Sequence, residues 1–396
     1  MSPRTRSARR PAPNCGPETT RRKLVHHPPS TIHHPPFGGR WATPRPRRCD
    51  HLATPTHRRR SSARTEQGAT IVKFATFDLN GSIHSGVVST GGDAVHPLPA
   101  GETLAALIER GGEALRAAGE QALSQPSVAL VDVRLLPPLQ PPTVRDFVAF
   151  EEHVEGVAIT VQGPDATVVP EWYELPTFYF TNPYAIIGPD DVVPMPPGSS
   201  VLDFELEVGI VIGRAGKDLT VEQAAEHIVG YTIFNDWSAR DLQAREMRVG
   251  LGPCKGKDTA TTLGPWLVTA DEFEAYRDAD GFLDIALRAS VNGVEIGRDS
   301  LVNMGWPPAE LVAYASRGTW IRPGDVLGTG TCGNGGCLGE LWGLGRELAP
   351  LKPGDTVALT VEGIGTLTNT VVEGAAPQPI PAARKRPRTR RDAFDA

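Results

Sequence analysis

An apolar run that carries three acids at alternate positions is the feature that most constrains how this chain folds. Residues 201–213 read VLDFELEVGIVIG. Successive side chains of a strand point to opposite faces, so the apolar residues share one face while Asp203, Glu205 and Glu207 share the other. The VGIVIG that follows indicates burial on both faces. We therefore predict a core strand whose acidic face contacts a group or solvent that offsets its negative charge.

Carboxylates on one face of a strand repel one another. Neighbours two residues apart lie roughly 7 Å from each other, and each like pair repels by about 2 kcal/mol at an effective dielectric constant near 20. Bulk water, a basic partner or a bound cation would each relieve this repulsion. Clustered carboxylate oxygens without Cys or His favour Mg²⁺, Ca²⁺ or Mn²⁺ over zinc.

The rest of the chain predicts an α+β protein that is mostly β. The chain has 42 glycines and 37 prolines among 396 residues, which favours many turns over a helical bundle. Strands are expected at 201–212, 231–235, 283–291, 355–361 and 366–372, and helical segments at 101–124, 219–230 and 307–318. Asn80-Gly81 between apolar runs predicts a hairpin turn, the helical pattern of 101–124 is broken at Gly111-Gly112, and Thr220 with Gln223 predicts a capping box. No βαβ alternation, GxGxxG or Walker pattern occurs, so a nucleotide-binding fold is disfavoured.

Charge divides the chain into an acidic body and two basic ends. Residues 1–71 carry +12 and residues 384–396 carry +4, which leaves −22 on the residues between them when the net charge is −6. The leading segment is rich in Pro and Arg without apolar periodicity, which predicts disorder. We expect a disordered basic extension (1–71), a small N-terminal α/β module (72–142), a large catalytic domain (143–374) and a disordered basic tail (375–396).

Three hypotheses fit the basic extension. It is a nucleic-acid-binding arm, a targeting signal, or upstream sequence that is not translated in vivo, with initiation near Val72. The apolar segment of a secretory signal is missing, and IVKFATFDLNG at 71–81 reads like a protein's own first strand. N-terminal sequencing that finds Met1 in the native protein would contradict the third hypothesis.

Cysteine usage and hydropathy predict a cytoplasmic protein. The five cysteines, at positions 15, 49, 254, 332 and 337, form no CxxC pair, which is typical of free thiols in a reducing compartment. No apolar run approaches the ~18 residues of a transmembrane helix. We expect no contact with a membrane.

Five further stretches combine residues that carry chemistry. They are RDFVAFEEHVEG with Asp146 and His153, FNDWSARDLQAREM with Asp236, Arg240 and Gln243, LGPCKGKDTATTLGPW with Lys257, TGTCGNGGCLGEL with Thr331 and Glu340, and PTFYFTNPYAIIGPDD with Tyr179. Together with the DFELE strand they resemble the fumarylacetoacetate hydrolase (fumarylacetoacetase) family over about residues 143–372. The combination is specific, although each motif alone would be weak.

The resemblance implies a fold, a metal centre and roles for individual residues. The implied catalytic domain is a β-rich roll, usually a homodimer, with Mg²⁺ or Ca²⁺, and Mn²⁺ as a further option, held by carboxylates. The implied metal ligands are Asp146, Glu205, Glu207 and Asp236; the catalytic residues are His153, Glu340 and Lys257; and the substrate-binding residues are Arg240, Gln243, Tyr179 and Thr331. Asp203 matches no ligand, and we expect it to be hydrogen-bonded or solvated at the start of the strand.

The implied activity is metal-dependent hydrolysis of a carbon–carbon bond in a 1,3-diketone or acylpyruvate-type keto acid (EC 3.7.1.-), as in aromatic amino acid catabolism. Val148 and Gln162 stand where fumarylacetoacetases have a tyrosine and an arginine, and an amide cannot clamp a carboxylate bidentately. Isomerisation or decarboxylation of 2-oxo acids on the same fold therefore stays open. A non-enzymatic, basic-tailed nucleic-acid-binding protein is the alternative from another class, and the acidic body opposes it.

Overall fold

The structure, a computed structural model, describes residues 72–385. The expectations for residues 1–71 and 386–396, including the basic extension and half of the basic tail, lie outside this range. Within it the fold is α+β and mostly sheet, as predicted. In residues 72–385 no helix is both long enough and apolar enough to cross a membrane.

Residues 72–142 form a small group of strands with two helices. The strands are β1 (Lys73–Leu79), β2 (Ser82–Val88), β3 (Ala94–Pro97), β4 (Val128–Ala129) and β5 (Arg134–Leu136), and the helices are α1 (Leu104–Arg110) and α2 (Gly112–Leu123). Asn80 and Gly81 both have positive φ, 54° and 84°, and form the predicted hairpin turn between β1 and β2.

The remaining residues supply the rest of the sheets. Their strands are β6 (Val144–Phe147), β7 (Phe178–Thr181), β8 (Ile186–Ile187), β9 (Val192–Pro194), β10 (Leu202–Asp203), β11 (Leu206–Ile212), β12 (Gly216–Lys217), β13 (Ile228–Asp236), β14 (Ser238–Ala239), β15 (Thr261–Thr269), β16 (Ala286–Val291), β17 (Val294–Ser300), β18 (Trp320–Ile321), β19 (Val326–Gly328), β20 (Thr356–Val361) and β21 (Gly365–Val372). Their helices are α3 (Glu151–Gln162), α4 (Val221–Ala225), α5 (Arg240–Met247), α6 (Pro308–Ser316) and α7 (Leu338–Gly343).

One large sheet runs through both parts of the described chain. Its strand order is β4-β3-β2-β1-β15-β13-β11-β19-β6-β7, with β5 beside β1 and β8 beside β15. A second sheet has the order β17-β16-β20-β21-β9. Because β1 pairs antiparallel with β15, the strands of residues 72–142 continue the sheet of the larger part. The domain boundary near residue 142 stays a prediction.

The core explains the two-sided burial of β11. Val208 and Ile210 pack in a cluster with residues of the second sheet such as Leu287, whereas Val211 packs in a second cluster with residues of β1 and α1 such as Phe74. The apolar VGIVIG therefore has a buried neighbour on each face, as the sequence predicts.

The local predictions are confirmed in part. The helical segment at 101–124 breaks at Gly111 as expected, and Thr220 and Gln223 form the predicted capping box of α4. The prediction of one continuous strand at 201–212 is wrong. Strand β10 ends at Asp203 and pairs with β14, while β11 begins at Leu206 in the large sheet. The interruption gives Asp203 surroundings of its own.

Candidate metal centre and active site

Four carboxylates from three strands of the large sheet meet at one place. Asp146 lies on β6, Glu207 on β11 and Asp236 at the end of β13, while Glu205 directly precedes β11. Each is at most 3 % exposed, and one oxygen from each lies within 4.8 Å of those of the others. The structure thus brings together all four residues that the sequence resemblance assigned to a metal. We call this group the carboxylate cage.

The small strand β19 makes room for the cage. Gly328 pairs with Gly209 of β11 on one side and with Asp146 of β6 on the other. A Cβ atom at Gly328 would lie 2.4 Å from Asp146 Oδ1 and 2.7 Å from Glu207 Oε2, too close for ordinary contact. Sequence reasoning missed Gly328, although a glycine that ends a strand next to a site is a signal of close approach.

Two cations and a phenol border the cage. Lys257 Nζ forms ion pairs with Glu205 and, at 2.5 Å, with Asp236 Oδ2, and the Tyr179 hydroxyl donates to the same Asp236 oxygen. Arg240 Nη2 lies 2.8 Å from Glu205 Oε1. Burial lowers the pKa of Lys257, but the charges of Asp236 and Glu205 outweigh this and hold its pKa above the usual value. Lys257 is therefore a charged ammonium.

The pKa values of the four carboxylates show that the cage lacks positive charge. Burial raises the pKa of Asp146, and raises the pKa values of Glu207 and Asp236 well above their usual range. Burial acts in the same direction on Glu205, but the charges of Lys257 and Arg240 outweigh it and hold the pKa of Glu205 low. More positive charge is needed before all four can ionise.

Two buried oxygens of the cage have no hydrogen-bond partner within the described residues. They are Asp146 Oδ1 and Asp236 Oδ1. Buried acceptors without a donor are rare, and an ion is one of their common explanations. An all-oxygen set of this kind fits Mg²⁺, Ca²⁺ or Mn²⁺, whose charge would replace the protons that burial otherwise favours.

His153 and Glu340 face each other across two packed helices. His153 lies on α3, and its Nδ1 is 4.0 Å from Glu340 Oε2 on α7, beyond hydrogen-bond distance. Burial lowers the pKa of His153 to about 4 and raises the pKa of Glu340 to about 8. A Cβ at Gly156 would lie 2.5 Å from Glu340 Cγ, so glycine permits this approach. The imidazole is thus neutral at physiological pH.

Asp203 has a structural role that the sequence left unexplained. Its carboxylate accepts hydrogen bonds from the backbone N–H groups of Leu338 and Gly339, at 2.8 and 2.9 Å, and pairs with Arg240 Nη2 at 2.7 Å. These N–H groups belong to the first turn of α7, where an anion is stabilising. Asp203 is fully buried and hydrogen-bonded, which is one of the two expected environments. It holds the helix of Glu340 next to Arg240.

The remaining substrate-binding candidates lie in different surroundings. Tyr179 and Lys257 line a cavity of about 340 Å³ together with Thr181, Pro253 and Asp258 among others. Gln243 Oε1 accepts a hydrogen bond from Arg240 Nη1 at 3.2 Å. Two of the predicted residues thus reach the carboxylate cage from an open cavity.

Thr331 contacts the cage itself. Its hydroxyl donates to Glu207 Oε1 at 3.3 Å, and the N–H of the neighbouring Gly330 donates to Glu207 Oε2 at 2.9 Å. The nearby Cys332 and Cys337 are buried free thiols, and Cys254 is an exposed one. The predicted free thiols are confirmed for these three cysteines.

Comparison with known proteins agrees with this geometry. Residues 143–372 match the sequence model of the fumarylacetoacetate (FAA) hydrolase C-terminal family. Fumarylacetoacetase of Arabidopsis thaliana is 33 % identical over 275 residues, which are 58 % of this chain and 65 % of that protein. The chain therefore spans slightly less than two thirds of that relative's length.

Two solved structures are similar to most of the chain. The 5-carboxymethyl-2-hydroxymuconate delta-isomerase from Mycobacterium smegmatis is 29 % identical with a TM-score of 0.56. The fumarylacetoacetate hydrolase from psychrophilic Exiguobacterium antarcticum is 28 % identical with a TM-score of 0.58. Each covers 76 % of this chain and 99 % of its own.

Fold and site together define a class, the mostly β enzymes that gather carboxylates for a divalent cation at one place in a large sheet. The chain belongs to the fumarylacetoacetate hydrolase family. The family includes hydrolases and isomerases, and the fold that the motifs implied is confirmed.

Replacing Gly328 by alanine tests the cage. The new Cβ would displace Asp146 and Glu207, so we expect the affinity for Mg²⁺ or Mn²⁺ to fall by at least about ten-fold, as for other changes that misplace metal ligands. Isothermal titration calorimetry measures it. Gly112→Ala is the matched control, because a Cβ there meets nothing within 4 Å. Equal affinity in both variants would contradict the assignment.

Proposed function

We propose that this protein is a divalent-cation-dependent hydrolase that cleaves a carbon–carbon bond in a 1,3-diketone or acylpyruvate-type acid. The observation that carries the proposal is a neutral, buried base next to an oxygen-only cage. A ring nitrogen of His153 lies within 4.8 Å of a carboxylate oxygen of Glu205. Hydrolysis needs a base for water beside a polarised carbonyl. His153 would be the base, and a cation in the cage would polarise the carbonyl.

A divalent cation in the cage would be held by Asp146, Glu205, Glu207 and Asp236 and would act as a Lewis acid on a substrate carbonyl. The chain's own contribution is the movement of a proton. Neutral His153 accepts a proton from water on one ring nitrogen. Glu340 Oε2, which is buried and has no hydrogen-bond partner among residues 72–385, faces its Nδ1. When His153 takes the proton, the positive imidazolium lowers the pKa of Glu340, which releases its own proton to solvent, and the resulting ion pair stabilises the imidazolium.

Lys257 and Arg240 supply fixed positive charge next to Glu205. Lys257 lines the open cavity and is 4 % exposed, so its ammonium lies where negative charge of the leaving carbanion would develop. Fixed charge that is already oriented before the reaction stabilises such a group more than solvent that must reorganise. Tyr179 lines the same cavity and orients Asp236 through its hydroxyl.

Isomerisation or decarboxylation of a 2-oxo acid is the second candidate. Two observations favour it: Gln162, where the resemblance expects an arginine, is exposed at the end of α3, and one similar solved structure is an isomerase. Enolisation needs the cage but not a base for water. The His153 and Glu340 pair therefore favours hydrolysis. The nucleic-acid-binding alternative is not favoured by the family, and its basic ends lie mostly outside the described residues.

We also infer that the protein forms a homodimer through the outer face of β6 and β7. Arg145 is only 5 % exposed, yet its Nε and Nη1 have no hydrogen-bond partner within the described residues. Its guanidinium lies 5.5 Å from the ring of Phe180, which is 65 % exposed. Arg145 Nη2 reaches the carbonyl of the exposed Trp320.

A second copy of the chain suits this face for two reasons. Strand β7 is the last in its sheet, so across a two-fold axis it can meet its own copy. Exposed Phe180 and Trp320 are of the aromatic type that is enriched in interfaces.

A substrate panel tests the proposed chemistry. Fumarylacetoacetate, acylpyruvates, oxaloacetate and a dienedioate are each assayed with Mg²⁺ and with EDTA, and products are identified by mass spectrometry. We expect hydrolysis of a diketone or acylpyruvate that stops when EDTA is added. Turnover that ignores EDTA would refute the metal-dependent mechanism, and isomerised or decarboxylated product alone would favour the second candidate.

Two substitutions separate the roles of cage and base. Glu207→Ala should abolish metal binding by calorimetry, whereas His153→Ala should keep metal and substrate but lower kcat by about 10²- to 10⁴-fold, the usual contribution of a general base. Circular dichroism checks that both variants fold. Two variants with the same activity as the native protein would exclude these roles.

The oligomer is tested by light scattering after gel filtration. Phe180→Asp and Trp320→Asp should halve the molar mass, because each places a charge in the proposed interface. Val294→Asp, at a residue that is 64 % exposed on β17, is the control and should leave the mass unchanged. A native protein with the mass of one chain would rule out the dimer.

A further inference from the structure

A second group of potential metal ligands lies beside the carboxylate cage and differs from it in chemistry. It consists of His153 on α3, Cys337 at the N-cap of α7, and Glu205, and one ligand atom from each lies within 4.8 Å of the other two. All three side chains are buried, with exposed fractions of 7, 0 and 3 %. The proposed hydrolysis uses His153 and Glu205 but leaves Cys337 without a role.

The separation of the two strongest donors suits a tetrahedral ion. His153 Nδ1 and Cys337 Sγ are 3.7 Å apart. Zinc holds a thiolate at about 2.3 Å and an imidazole nitrogen at about 2.0–2.1 Å, which places the two atoms roughly 3.6 Å apart when the angle is tetrahedral. The observed distance is therefore close to one edge of a zinc site, before any side chain moves.

The ligands of this second group favour a different class of cation from the one that the carboxylate cage favours. Nitrogen and sulfur ligands favour Zn²⁺ and other thiophilic ions, whereas carboxylate oxygens alone favour Mg²⁺, Ca²⁺ or Mn²⁺. Three protein ligands leave a fourth position open for water. Glu205 belongs to both groups, so the two sites share one carboxylate.

The protonation states of His153 and Cys337 agree with a role as metal ligands. Burial lowers the pKa of His153 to about 4, so its nitrogen lone pair is available without the loss of a proton. Burial and the charge of Asp203 raise the pKa of Cys337 well above its usual value, so the thiol stays neutral and inert in the absence of a metal. A bound cation would displace the thiol proton to solvent and form a metal–thiolate bond.

We propose that His153, Cys337 and Glu205 form a second metal site that binds a thiophilic divalent cation such as Zn²⁺ and inhibits the enzyme. The ion would bind Nδ1, the ring nitrogen that faces Glu340, and so prevent the ion pair that stabilises the imidazolium when His153 acts as a base. The inhibitory effect rests on the proposed function. The metal site itself does not, because binding is measured without turnover.

Cadmium binding to the full-length protein tests the site, since a cadmium–thiolate bond gives an ultraviolet charge-transfer band. Serine replaces Cys15, Cys49 and Cys254 in all samples to remove other thiols, and Mg²⁺ is saturating. We expect a band that saturates at one equivalent of Cd²⁺, disappears in Cys337→Ser and persists in Cys332→Ser, the neighbouring buried thiol. His153→Gln should lower the affinity for Cd²⁺ by at least about ten-fold while the thiol remains.

Zinc inhibition is measured on the same samples, with each rate divided by that variant's rate without zinc. The zinc concentration for half inhibition should rise by at least about ten-fold in Cys337→Ser and stay the same in Cys332→Ser. No band in the parent sample, or a band that Cys337→Ser retains, would overturn the proposal. A band in a protein that hydrolyses no substrate would support the metal site and refute the proposed function alone.

Discussion

The mutual repulsion of four buried carboxylates is the constraint on which the rest of this structure depends. An ionised carboxylate in a protein interior is costly unless it is paired, and four within contact distance of one another multiply that cost. Lys257 and Arg240 offset part of it and keep Glu205 charged. The remainder is met by protons, or by a divalent cation that would replace them. The cation that we propose is thus a consequence of how the sheet buries acids.

The surroundings of the cage are arranged to keep these groups in place. Gly328 lets two ligands from different strands approach, and Gly156 lets Glu340 pack against the helix of His153. Asp203 holds the first turn of α7 through two backbone hydrogen bonds and pairs with Arg240. The same short helix also presents Cys337 to His153, so one element positions both a supporting carboxylate and a soft ligand.

Much of the fold could be predicted from local sequence signals, and the failures have physical causes. The Asn80-Gly81 hairpin and the capping box of α4 follow from short-range chemistry, and both were predicted. Helix α3 was not, because EEHVEGVAITVQ is rich in β-branched residues and contains Gly156, all weak helix formers. Helix α7 has six residues, too few to form alone, and depends on the cap by Cys337 and on Asp203.

By itself the sequence determined the class of fold, the alternating acids of the core strand and, through its motifs, the residues that meet in the cage. Only the tertiary structure decided that Asp203 binds the first turn of α7 and Arg240 instead of joining the cage, because the strand is interrupted between residues 203 and 206. It also decided that Cys337 lies 3.7 Å from His153. Residues almost 200 positions apart acquire a common environment only when helices pack, and no local pattern encodes that distance.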